Sequence, residues 1–217
     1  MNLEQARDNM IDQQLRAWEV LDEDVLNVLT SVPRERFVPA RYKNLAFADF
    51  GIPLTHGQTM MAPKVEGRML QALDIRFGDR ILEIGTGSGF VTACLARLGG
   101  QVESVDFYDD LIEDAKTQLA VLEIRNVNVG VGDAANGWRS NERYDVIAVT
   151  GSVPEYRPVF EQQLAIGGRL FVIVGEQPVM SAMRVTRAGE HEFSRAKLFE
   201  TDLPALLNTS RKATFVL

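Results

Sequence analysis

The chain has 217 residues, 46% of them apolar and 24% charged, with a net charge of −7. That length fits one large domain with a substantial core, and the acidic balance argues against nucleic acid as a generic partner, because neutralising a phosphate backbone takes clustered Lys and Arg. Cys94 is the only cysteine, so no intrachain disulfide is available; no apolar run reaches the roughly eighteen residues of a membrane span. The stretch Met1–Asp8 has no basic segment leading into an apolar one, and the simplest expectation is a reducing, cytoplasmic setting.

Leu3, Ala6, Met10, Ile11 and Leu15 fall on one helical face, which predicts an amphipathic helix over 3–16. Asp22 is placed to cap a second helix with Glu23 and Asp24 in its acidic first turn, ended by Pro33. Residues 33–62 hold Pro33, Pro39 and Pro53, with Pro63 just beyond, together with Phe37, Tyr42, Phe47 and Phe50. This composition predicts an irregular but ordered region. The group Arg34, Arg36, Arg41 and Lys43 is expected on a solvated or ion-paired face. Pro63 suits the first turn of a third helix reaching Leu73.

From residue 79 the pattern alternates. Strands are predicted at Arg80–Ile84, Val102–Val105, Val127–Val131, Tyr144–Thr150 and Leu170–Val174, the last after a turn at Gly167-Gly168. Helices are predicted at Phe90–Leu98 and Asp109–Leu122. Short apolar strands separated by helices imply a parallel α/β sheet covered on both faces. Residues 182–187 and 192–199 read as a hairpin turning at Ala188-Gly189, an antiparallel edge. Arg211 and Lys212 fall in a tail expected to fray.

The chemistry concentrates at Ile81-Leu82-Glu83-Ile84-Gly85-Thr86-Gly87-Ser88-Gly89, a strand running into three glycines before a helix. Glycines there let a ligand lie against bare backbone. Asp106 ends the next apolar run, at a distance suited to a carboxylate on ribose hydroxyls, and Gly132-Asp133 follows the third strand, where a carboxylate can accept from an adenine amine. The dinucleotide fingerprint needs a third glycine where Phe90 stands; the spacing Glu83-x-Gly85-x-Gly87-x-Gly89 instead fits S-adenosyl-L-methionine. The expected cofactor-binding set is Glu83, Gly85, Thr86, Gly87, Ser88, Gly89, Asp106, Phe107, Gly132 and Asp133. An acid inside an apolar strand, as at Glu83, needs a partner. Asp106 and Asp133, taken singly, also fit helix-cap and turn roles. Neither His56 nor His191 belongs to a metal-type spacing, and no metal is expected. Cys94 reads as a small buried apolar residue. Trp138 reads as an adenine neighbour or a core anchor, and His56 as a pocket or a solvated residue.

Three further segments carry a resemblance. Val32-Pro33-Arg34-Glu35-Arg36-Phe37-Val38-Pro39, His56-Gly57-Gln58-Thr59-Met60-Met61-Ala62-Pro63, and the loop Leu82–Phe90 resemble signatures of the protein-L-isoaspartate O-methyltransferase family. Gly137-Trp138 and Val149-Thr150 before Pro154 also fit, and the resemblance spans roughly residues 8–205. It implies a Rossmann-like class I methyltransferase fold: a mostly parallel seven-stranded sheet with helices on both faces, an antiparallel edge and a helical N-terminal extension. The whole of 1–217 then forms one domain, with 1–75 the helical substrate side and 76–217 the cofactor core.

The activity implied is transfer of a methyl group to the free α-carboxylate of isoaspartyl residues in damaged proteins, the ester then collapsing to a succinimide. The family's segment Gly-Gln-Thr-Ile-Ser-Ala-Pro places a Thr and a Ser near the reacting carboxylate. Thr59 matches; the Ser position is Met61, and the residue after the proline, frequently His, is Lys64. The strand 170–175 also lacks the family's usual proline before Val-Gly. A hydroxyl donates a hydrogen bond and a thioether does not, so Met61 opens two other readings beside the isoaspartyl one. These are methyl transfer to a different acceptor, such as a small molecule, and a cofactor-binding protein without catalysis. Thr59, Met61 and Lys64 are the expected catalytic positions, with Lys64 read either as a compensating charge or as a side chain pointing to solvent.

Overall fold

A computed structural model describes residues 2–209; Arg211 and Lys212 lie outside them. The N-terminal helix α1 (Leu3–Asn9) is capped by the Asn2 side chain, which accepts from Glu4 N–H. It continues as a wider π-helical stretch to Leu15 and a 3-10 turn to Trp18. The widening turns Met10, Ile11 and Leu15 inward together. Helix α2 (Glu23–Ser31) starts at the Asp22 cap as predicted.

Residues 34–62 are ordered through short 3-10 turns and a two-stranded ribbon, β1 (Ile52–Pro53) against β2 (Thr59–Met60), the tip of which is His56-Gly57. Phe37 and Phe47 anchor this region in the core, while Phe50 stays largely outside. Helix α3 (Pro63–Leu73) then begins with its proline at the first position.

The main sheet contains β3 (Arg80–Ile84), β4 (Gln101–Asp106), β5 (Val127–Val131), β6 (Tyr144–Val153), β7 (Leu164–Glu176), β8 (Val179–Arg187) and β9 (Phe193–Thr201), linked in part by α4 (Phe90–Leu98) and α5 (Asp109–Val121). Their order across the sheet is β5-β4-β3-β6-β7-β8-β9, with β5 to β7 parallel and β8 and β9 antiparallel. The chain winds outward from β3 to β5 and then returns to β6 on the other side of β3. Ligands of open α/β sheets bind at such a reversal, beyond the carboxyl ends of the strands.

Both faces of the central strands are buried, which explains their near-continuous apolar runs. Ile81 and Val102 point to the face shared with α3, α4 and the N-terminal helices; Leu82, Ile84 and Val105 point to the opposite face with Tyr144, Phe160 and Leu170. One expectation changes. Gly167-Gly168 does not precede the seventh strand but lies within it: β7 starts at Leu164 and pairs with β6 through an irregularity that absorbs the two glycines. Gly168 fits there because an added Cβ would press on the carbonyls of Ala165, Tyr144 and Asp145.

Arg169, next to that irregularity, is buried and donates to the Leu73 carbonyl at 2.8 Å and to Asp79 Oδ2 at 2.6 Å. It therefore ties the end of α3 to β7. Removing one partner of a buried ion pair costs about 3–5 kcal/mol. Arg169→Met is expected to lower unfolding stability by roughly 3 kcal/mol, measured as a fall in the urea midpoint.

Candidate active site

The β3–α4 turn is shaped by backbone. Gly85 and Gly89 adopt φ of +100° and +83°, values that L side chains rarely tolerate. A Cβ on Gly89 would also stand 2.8 Å from that of Ala115 on α5. Asp106, at the end of β4, holds the turn in place: its Oδ2 accepts from Gly87 N–H at 2.8 Å and its Oδ1 from Tyr108 N–H at 3.1 Å. On the other side the Thr150 hydroxyl sits on the carbonyls of Ile84 and Gly85.

Glu83 lies beneath this turn. Strand register puts it beside Ser104, and its Oε2 accepts from Ser104 at 2.6 Å and from Thr92 of α4. Those are the partners that an acid inside an apolar strand requires. Its Oε1 is buried without one. Burial pushes its pKa up to about 8, against the two hydroxyl hydrogen bonds that favour the charged form.

Two adjoining clefts open above the turn. One is bordered by Gln58, Thr59, Met61, Glu66, Thr86, Ser88 and Thr150, and by Leu203–Leu206. The other is bordered by Phe107, Tyr108, Gly132, Asp133 and Ala134. Gln58, Gly85, Asp106 and Leu206 border both. Asp133 Oδ1 accepts from Ala135 N–H at 3.0 Å and its Oδ2 from the Asn208 side chain at 2.9 Å. Most of the residues expected at the site therefore meet in one place, although they come from four separate segments of the chain.

Some expectations change. Lys64 does not reach the cleft: its ammonium donates to Asp49 at 2.8 Å and lies 4.2 Å from the centre of the Trp18 ring. Residues two apart on a helix point about 200° apart, so Lys64 faces outward because Glu66 faces inward. Of the two readings for Arg34, solvated or ion-paired, the ion-paired one holds, but the side chain is buried and 0% exposed. It donates to the carbonyls of Ala46 (2.7 Å) and Met61 (2.8 Å), pairs with Glu66 Oε2, and lies 4.8 Å from the centre of the Phe90 ring.

His56 stacks on Tyr108 at 3.9 Å and contacts both Asp110 carboxylate oxygens at 2.9 Å. It pins the ribbon tip to the start of α5, and the hydrogen bond to His56 holds the Asp110 pKa below its usual value. Trp138 acts as an anchor, its indole N–H donating to Glu103 at 2.8 Å. Cys94 is fully buried, as expected. Sequence reasoning missed Glu66, Gln58 and the strap 203–208. Glu66 had a signal: an acid amid the apolar Val65, Met69 and Leu70 face of α3.

The residues fit S-adenosyl-L-methionine. The positive-φ glycines leave bare backbone, Asp106 presents a carboxylate at the rim, and buried Glu83 keeps one carboxyl oxygen, Oε1, without a partner beneath the turn. A sequence model for protein-L-isoaspartate(D-aspartate) O-methyltransferase matches residues 5–204. The chain belongs to the protein-L-isoaspartate O-methyltransferase family.

Relatives agree. Protein-L-isoaspartate O-methyltransferase 1 of Rhodopseudomonas palustris strain HaA2 is 41% identical over 83% of this chain and 74% of its own length. The protein-L-isoaspartate O-methyltransferase of Koribacter versatilis is 40% identical over 90% of this chain and 87% of its own. A solved protein-L-isoaspartate O-methyltransferase structure superposes with a TM-score of 0.78 at 25% identity, over 92% of this chain and 65% of that longer protein. A Plasmodium falciparum structure described as a putative family member in complex with S-adenosyl-L-homocysteine gives 0.77 at 20% identity, over 95% and 98%. The fold is thus the Rossmann-like class I methyltransferase fold of this family.

Two outcomes are expected. Asp106→Ala should weaken S-adenosyl-L-homocysteine binding by about 1.5–3 kcal/mol, the range for a hydrogen bond to a charged group, as read by calorimetry. The raised pKa of Glu83 means that its contribution to stability is fully present below the unfolded-state value of 4.5 and is lost progressively as pH climbs through about 8. Glu83→Gln should therefore flatten the decline in urea-unfolding stability between pH 5 and 8.5.

Proposed function

We propose that this chain is an S-adenosyl-L-methionine-dependent carboxyl methyltransferase acting on isoaspartyl residues of damaged proteins. The observation that carries this reading is a juxtaposition. The ribbon segment Gln58–Met61, which resembles the family's acceptor segment, borders the same cleft as the Gly85–Ser88 turn and Asp106. Acceptor and cofactor sides are therefore within reach of one another.

In this reading Gly85, Thr86, Gly87, Ser88 and Gly89 cradle the cofactor, and Asp106 holds the ribose hydroxyls. Phe107 and Gly132 flank the adenine, whose amine donates to Asp133. Each Asp133 oxygen retains a lone pair beyond its bonds to Ala135 and Asn208. Glu83 lies under the methionyl end. When bound, the cofactor supplies a methyl group on a positively charged sulfur.

An acceptor carboxylate is ionised at neutral pH, so no general base is needed. The residues must align the oxygen with the methyl carbon and hold it, which is catalysis by orientation and donor placement. Thr59 supplies a hydroxyl donor and Met61 an apolar wall. The His56–Asp110 clasp keeps that ribbon over the turn. One observation favours a second reading, a different methyl acceptor: Met61 itself borders the cleft, where a hydroxyl would serve a carboxylate.

Incubation with methyl-labelled cofactor and an isoaspartyl peptide should give a base-labile methyl ester; the matching aspartyl peptide should give none. No ester above a blank ends the first reading, and labelled product from a non-isoaspartyl acceptor establishes the second. Thr59→Val should lower kcat/KM by about 10², the scale for losing one donor at a reacting oxygen, with S-adenosyl-L-homocysteine affinity retained.

A further inference from the structure

Glu66 is a carboxyl group on the acceptor side of the cleft that had no expected role. It is 1% exposed, borders the cleft beside Thr59 and Met61, and uses only one of its oxygens. Oε2 is held by Arg34, whose guanidinium is itself fixed by the Ala46 and Met61 carbonyls. Oε1 is buried with no partner. An unpaired buried oxygen is costly, so its geometry is that of a group awaiting a ligand. The adjoining position, Met61, offers no donor.

We propose that Glu66, in its protonated form, holds the methyl acceptor by donating its Oε1–H to the acceptor carboxylate. This inference rests on the carboxyl-acceptor reading above. The hydrogen bond falls on the oxygen that becomes the ester carbonyl. The other carboxylate oxygen forms the new bond to the methyl carbon, the carbon–sulfur bond breaks, and its electron pair stays on sulfur. Glu66 keeps its proton throughout, so charge and protons balance.

The chain Arg34–Glu66–acceptor then consists of one cation, one shared proton and one anion, a neutral set suited to a buried site. Without the proton, two carboxylates would face each other. The charged and titratable groups that face Glu66 are Arg34 from the 34–36 turn and Cys94 from α4, with Asp106 across the cleft. Of these, Arg34 lowers the Glu66 pKa, while burial raises it more, up to about 7. A second carboxylate arriving in the cleft raises it further.

Two measurements test this. First, peptide binding should take up a proton. Calorimetric titration of an isoaspartyl peptide into the protein loaded with S-adenosyl-L-homocysteine, run at pH 8 in buffers of different ionisation enthalpy, should show uptake approaching about one proton per peptide. Uptake of none overturns the proposal. Second, wild-type kcat/KM should fall about tenfold per pH unit above neutrality. Glu66→Gln carries a permanent N–H donor, so its rate relative to wild type should climb by the same factor over that range. A ratio that stays flat or falls overturns the role of Glu66 while leaving the isoaspartyl reading intact. A wild type that neither binds nor esterifies the peptide removes that reading and this one together.

Discussion

A guanidinium with no access to water joins the two sides of this molecule. Arg34 comes from the irregular N-terminal region, yet its hydrogen bonds reach the 40–46 turn, the end of the acceptor ribbon at Met61 and the carboxylate of Glu66 on α3, while its plane lies near Phe90 on the first turn after the glycine loop. Burying a cation this deeply is costly unless each donor direction meets an acceptor. The four contacts therefore specify a single placement of the ribbon relative to the cofactor turn. Shifting the ribbon by one residue would take the Met61 carbonyl from a buried donor.

The two sides of the cleft are built by different physics. The cofactor side is a backbone construction: strand β3 ends, positive-φ glycines turn the chain, and Asp106 from the neighbouring strand fixes Gly87 by hydrogen bonding its N–H. The contributions from farther along the chain are the β3–β4 register, the Thr150 hydroxyl on the Ile84 and Gly85 carbonyls, and the close approach of Ala115 to Gly89. The acceptor side is a side-chain construction assembled from residues 34, 56–66 and 203–206, held by Arg34, by the His56–Asp110 contact and by the strap. The strap is itself fixed to β6, Leu206 N–H donating to the Ser152 carbonyl and Ser152 N–H to that of Pro204.

The difference decided what could be read in advance. The seven-stranded α/β sheet with an antiparallel edge, the exact spans of β3, α4 and β5, and the role of the Asp22 cap were legible, because hydrophobic period, capping and glycine placement are local signals. The convergence of Gly85–Ser88, Asp106 and Asp133 followed from a general property of parallel sheets. That Arg34 is ion-paired was within the expectation; that it is buried was not, because basic residues are usually solvated and only the depth of its surroundings shows otherwise. For Lys64 both directions stayed open, because proximity in sequence to Thr59 does not set direction on a helix, and Gly167-Gly168 looked like a turn because a glycine pair within a strand has no local marker.

Fold class, the strand-end glycine turn and two carboxylates at neighbouring strand ends follow from the order of residues alone, since these depend on periodicity and on what a backbone without Cβ can do. Three features come only from packing in three dimensions: Lys64 points outward while Glu66 points inward, Arg34 is buried between four segments, and residues 203–208 close the rim. Those outcomes depend on contacts between residues up to about a hundred positions or more apart in the chain, whose energies no local pattern contains.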